Sequence, residues 1–168
     1  MTDLQGLVEL IAAPISADAP GGSFARYEAE YEALKDEIDK LSSPSSAGEA
    51  DWNRVVDLSR SILAKTSKDL LVASYLCAAL LRTDGYAGLA AGLEGTSRLV
   101  DEMSPALFPE AHKQKARVAA FEWLAERLAI AVRARAAASD EAEALERCAA
   151  ALDRLDGDLD QKLSGAGP

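Results

Sequence analysis

His112 is the only histidine in the chain, and it lies between Pro109 and the basic run "KQK" with no cysteine or carboxylate cluster at ligand spacing. Any Ser-His-Asp relay would have to use it, and no GxSxG elbow is present to supply the nucleophile. Carboxylates are abundant, but Glu28/Glu32 and Asp36/Lys40 fall one helical turn apart on what reads as a solvated helix face. The Glu-x-x-His pattern of a di-metal bundle does not occur. The run "GYAGLAAGLEG" is glycine-rich, yet it lacks both the lysine of a phosphate loop and the preceding strand of a dinucleotide fingerprint. Cys77 and Cys148 sit in different segments, outside any CxxC spacing, and read as buried reduced thiols. Trp52 and Trp123, at helical spacing, read as core anchors or as the rim of a groove for a partner helix. No catalytic residue, metal ligand or cofactor site emerges, and the expectation is a protein that is not an enzyme.

The charge balance narrows the partners. With 18 basic and 28 acidic side chains the formal net charge is −10, which has the wrong sign for nucleic acid phosphates or an anionic lipid surface. The start "MTDLQGLVELIAAPI" has no basic n-region, and Gln5 and Glu9 break its apolar run, so it reads as neither a signal peptide nor a spanning helix. A cytoplasmic protein is expected.

The elements that would carry these residues are helical. Hydrophobic residues make up 49% of the chain and aromatics only 5%, the excess being Ala and Leu, which favour helices. Leu4, Leu7, Val8, Leu10 and Ile11 pattern a first helix that Pro14 ends, and "APISADAPGGS" follows as a loop. Phe24, Tyr27, Tyr31, Leu34, Ile38 and Leu41 alternate three and four apart, predicting one amphipathic helix from Phe24 on. "SSPSSAGEA" reads as a flexible linker, after which Asp51 caps "WNRVVDLSRSILAK", with Trp52, Val55, Val56, Ser59, Ile62 and Leu63 on its inner face.

"TSKD" fits a capping box, with Thr66 or Ser67 as cap and Asp69 reaching back. It opens a helix that is apolar on nearly every side and therefore central, and Gly85 ends that helix in a left-handed conformation. The next helix carries Gly88 and Gly92 on one face, which would let its backbone approach the buried helix closely. After "SPALFPE", residues 117–135 pattern a helix with Val118, Phe121, Leu124, Leu128 and Val132 inward. Ser139-Asp140 would cap a last helix facing inward through Leu145, Cys148, Ala149, Leu152, Leu155 and Leu159. The sum is an all-α single domain, a bundle or array of about seven helices over residues 1–163, with residues 164–168 starting a linker to a further region.

Several separated pieces then carry a family resemblance. Pro14-Ile15, Gly22, Tyr31, Trp52, Ser67-Lys68-Asp69-Leu70, Gly85, Gly88-Leu89, Gly92-Leu93, Pro109 and Trp123-Leu124 stand in the order found in the N-terminal domain of the ImpA/TssA family of type VI secretion systems. The chain resembles that family over about residues 4–130 and departs from it at Met103-Ser104, where the family often has a Tyr-Trp pair. The resemblance implies a non-enzymatic assembly factor of a contractile injection machine. Its partners would be other secretion components of the baseplate, sheath, tail tube or membrane complex, and the full-length protein would be oligomeric. Related accessory proteins that cap or anchor the sheath share the domain, and a general helical adaptor outside secretion is the alternative. The family supplies no catalytic residues. The partner surface is expected near Arg82, Tyr86 and Phe108, polar or aromatic residues at element ends. Trp52, Thr66, Ser67, Asp69, Gly85, Gly88, Gly92 and Trp123 are expected to act as caps, turns and packing.

Overall fold

A computed structural model describes residues 3–42 and 49–162, so the expectations for the middle of the linker and for the tail from Ser164 lie outside the described residues. The protein is all-α, with six helices and no strand among those residues. Helix α1 (Leu4–Ala12) starts at Asp3, whose carboxylate accepts from the Gly6 N–H at 3.1 Å, and buries Leu7, Val8, Ile11 and Ala12. Helix α3 (Trp52–Lys65) starts at Asp51, which accepts from the Arg54 N–H, and buries Val55, Val56, Ser59, Ile62 and Leu63.

Helix α2 (Ala29–Asp39) is shorter than its heptad-like pattern predicts. Only Tyr31, Leu34 and Ile38 of the six-residue face are buried in it, while Phe24 and Tyr27 precede the helix and are exposed. The cause is tertiary. Ser23 donates its N–H to the Thr66 carbonyl, and the Arg26 side chain reaches Asp69, so residues 23–26 are held against another loop and cannot continue the helix backward. Helices α2 and α3 are joined through Glu37, a little-exposed carboxylate that accepts from the Asp51 N–H at 2.9 Å and pairs with Lys40 at 3.0 Å.

Helix α4 (Leu70–Met103) is bent double at Gly85, whose φ of 70° and ψ of −157° lie outside helical space. On a straight helix Cys77 and Thr96 would stand about 28 Å apart, but the Cys77 Sγ and Thr96 Oγ1 are 3.6 Å apart. The two arms, residues 70–84 and 86–103, therefore pack back to back, and the second arm is the helix expected after the Gly85 break. Gly92 makes the contact, since a Cβ there would stand 3.0 Å from both the Cys77 Sγ and Leu80 Cδ1. A Cβ at Gly88 would stand 2.8 Å from the Leu80 carbonyl oxygen. Most residues of both arms are buried, Arg82, Asp101 and Glu102 being exposed, and α1, α3, α5 and α6 all pack around α4.

Helix α5 (Gln114–Ala134) and helix α6 (Ala142–Lys162) lean on α4 from one side. Their predicted inner faces are only partly inner. Leu124 of α5 and Cys148 and Leu155 of α6 are buried, whereas Val118, Val132, Leu145 and Leu152 are exposed, as is Ala149. Each helix has α4 as its main supporting neighbour, so a stripe as wide as the sequence pattern cannot all be covered. Ser139 and Asp140 form a short 3-10 turn, and the cap contact comes from Glu141, which accepts from the Ala138 N–H at 2.9 Å.

Candidate protein-contact surface

Three loops meet where α3 passes into α4. The Ser23 N–H donates to the Thr66 carbonyl at 2.8 Å, and the Lys68 N–H to the Gly21 carbonyl at 2.8 Å. On the other side the Phe108 N–H donates to the Lys68 carbonyl at 3.0 Å, and the Leu70 N–H to the Phe108 carbonyl at 2.7 Å. Residues 66–70 thus form the middle segment of a small ladder of loops. Gly22 has a φ of 74°, and a Cβ at either Gly21 or Gly22 would overlap a carbonyl oxygen, of Ala106 or Thr66 respectively. Glycine is required at both positions for the loops to approach this closely.

This pairing corrects the predicted capping box. Thr66 is the C-terminal cap of α3, and Ser67 is bridged to Gly22. Asp69 is the N-cap of α4 and accepts from the Leu71 N–H at 2.8 Å and the Val72 N–H at 3.4 Å. The same fully buried carboxylate takes both arms of the Arg26 guanidinium, at 3.1 and 3.2 Å. Lys68 is buried and donates to the Leu10 and Ile11 carbonyls at 2.8 and 3.0 Å. These carbonyls close the C-terminal turn of α1, where no intrahelical donor is left for them. Burial pulls the Lys68 amine down to about 8. Arg117, also buried, donates to the carbonyls of Pro109, Ser104 and Leu107 and fixes the 104–109 loop. Each buried cation therefore anchors a loop or a helix end. Sequence reasoning did not assign these roles to Arg26, Lys68 and Arg117. Arg26 carried a signal, being the only basic residue before Lys35.

On top of this base lies an aromatic patch. The Phe24 ring lies 5.4 Å from Tyr27 and 6.2 Å, edge-on, from Phe108. Tyr27 is 86% exposed and Phe24 38%, while Phe108 is half-buried. The three sequence-predicted contact residues do not converge. Phe108 pairs with the start of α4, and Arg82 is exposed about 18 Å further along the first arm. The Arg82 guanidinium lies 5.4 Å from the Trp52 ring centre. Tyr86 is buried; its hydroxyl donates to the Arg135 carbonyl at 3.0 Å, and the Arg135 guanidinium covers its ring at 5.0 Å. Trp123 is half-buried and meets Tyr75 edge to face at 4.8 Å.

The residues weighed for chemistry are dispersed. His112 is exposed in the loop before α5, and among the described residues no group of three His, Cys, Asp or Glu is placed to hold a metal. Both thiols are free and buried; burial pushes Cys77 up to about 12 and Cys148 up to about 11, away from nucleophilic reactivity at neutral pH. No helix among the described residues is long and apolar enough to cross a membrane.

Comparison with known proteins agrees with this arrangement of loops and helices. A family model described as "ImpA, N-terminal, type VI secretion system" matches residues 12–126, more than half of the chain. A solved structure of similar fold is the N-terminal domain, including the conserved ImpA_N region, of the TssA component of the type VI secretion system from Burkholderia cenocepacia. It is 22% identical, with a TM-score of 0.79, and the match covers 96% of this chain and 85% of that one. No curated protein matches the sequence.

Proposed function

Because this chain belongs to the ImpA N-terminal family of the type VI secretion system, we propose that it is a non-enzymatic, cytoplasmic protein-contact domain of a secretion assembly factor. It would act in baseplate, tail or sheath biogenesis by binding other components of the machine, within an oligomeric full-length protein.

The observation that carries the reading is the exposed aromatic patch on a rigid base. Phe24 and Tyr27 stand in water next to a loop junction held by Asp69 and Arg26, and aromatic side chains so displayed supply contact area at little entropic cost. Phe108 and Arg82 are contact residues in this reading, Phe108 within the patch and Arg82 at the far end of the first arm. Tyr86 acts from inside by positioning Arg135, whose guanidinium is bound to Glu141 at 3.0 Å.

The test is capture of secretion components by the 168-residue chain at low and high salt, with bound proteins identified by mass spectrometry. Baseplate, sheath or membrane-complex proteins are expected with the unmodified chain, and their loss is expected when Phe24→Ala and Tyr27→Ala are combined. Both side chains lie outside the core, so the circular dichroism of the double variant should match that of the parent. Unchanged capture by the variant would refute the surface, and capture of no secretion protein would refute the role.

A further inference from the structure

Helices α5 and α6 run alongside each other on α4 and leave an apolar trough between them. Its floor is Leu124 and Leu155, both buried, and its walls expose Val118 (43%), Val132 (47%) and Leu152 (42%). Two hollows of about 490 and 460 Å³ lie along it, one at Val118 and Leu159 and the other at Val132 and Leu145. From Val118 to Val132 the trough runs about 21 Å, the length of a helix of about 14 residues.

Its charge is polarised. Glu122, Asp156 and Asp160 line one end, and Arg133 lines the other. An anionic lipid surface is a poor occupant, because the chain's net charge of −10 repels it. An apolar stripe flanked by helices suits a third helix laid between them.

We propose that the α5–α6 trough is the docking site for an amphipathic helix of a partner protein, basic where it crosses Glu122 and Asp156. Leucine-like anchors at i, i+3 or i+4, and i+7 fill the hollows over Val118 and Val132, and Lys or Arg side chains lie over the carboxylate end. The site is separate from the aromatic patch and does not depend on it. Its α6 wall lies outside the 12–126 span matched by the family model.

The probe is a fluorescent 14-residue Leu/Lys peptide with one apolar face, compared with a scrambled peptide of the same composition and with a Leu/Glu analogue. Anisotropy titration of the 168-residue chain should show binding of the Leu/Lys peptide, with the scrambled peptide about tenfold weaker. Leu152→Glu should weaken the peptide about tenfold although it adds negative charge, which separates docking from unspecific attraction. The pair Glu122→Lys and Asp156→Lys should weaken the Leu/Lys peptide and admit the Leu/Glu one. In the unmodified chain, amide shifts on titration should concentrate in α5 and α6, a readout that needs no variant. Equal binding of the scrambled peptide, or tighter binding by Leu152→Glu, would overturn the proposal. So would a dimer in sedimentation that Leu152→Glu dissolves, since a second copy would then occupy the trough. Phe24→Ala with Tyr27→Ala should leave peptide affinity unchanged, so failure of the aromatic patch and failure of the trough are told apart.

Discussion

Asp69 closes two structures with one carboxylate: it caps the most buried helix and neutralises Arg26. Removing it leaves a half-buried guanidinium and two amide groups without their acceptor. Asp69→Ala should therefore cost about 3–5 kcal/mol, read as a lower urea midpoint, and Arg26→Ala should cost less because it leaves the cap intact. Glu37 offers a pH test. The Asp51 N–H bonded to it, with Lys40 and Arg54 nearby, holds its carboxyl below the ordinary 4.5. As pH falls the unfolded chain takes up this proton first, so the stabilisation is present above about 4.5 and is lost as pH drops through the folded value. Glu37→Gln should lose about 1–3 kcal/mol at neutral pH and show a flatter acid limb in urea unfolding below pH 4.5. The carboxylates were legible as helix surface and as caps, but nothing in the sequence marks Glu37 as turned inward. Its burial follows from where α3 begins.

At the scale of elements, the helices whose starts rest on local chemistry were legible. Asp51 opens α3, and the predicted inner face of α3 is buried at Val55, Val56, Ser59, Ile62 and Leu63, while Trp52 at its first turn is only half-buried. The breaks at glycine were legible for the same reason, since Gly85 occupies a region that side chains avoid. Gly85→Ala should lower stability by about 1–3 kcal/mol, measured as a reduced melting temperature with helical content retained before the transition. The start of α2 was not legible, because the Phe24/Tyr27 pattern continues the Tyr31 stripe and only the hydrogen bond from Ser23 to Thr66 takes those residues away. The start of α4 misled in the same way. Whether Thr66, Ser67 or Asp69 caps depends on how far the ladder with Gly21 and Phe108 consumes the backbone, and it extends to residue 70.

For the molecule as a whole, α4 is packed against by α1, α3, α5 and α6, whereas α5 and α6 each rest mainly on α4. Stability should be graded accordingly. Hydrogen exchange followed by mass spectrometry should find the slowest amides in residues 72–81 and 88–93 of α4, with α5 exchanging sooner; a uniform pattern would contradict this packing. Composition and periodicity by themselves determined an all-α chain with a buried central helix and a glycine-faced partner helix, because those properties are carried by neighbours three or four residues apart. The tertiary structure decided which of the amphipathic residues are covered. A stripe on α5 or α6 looks the same in sequence whether one helix or two pack against it, and only the number of neighbours leaves Val118, Val132 and Leu152 in water. It also decided that Phe24, Tyr27 and Phe108, 84 residues apart at their extremes (108 − 24), form one patch, because backbone pairing between distant loops has no periodicity to read.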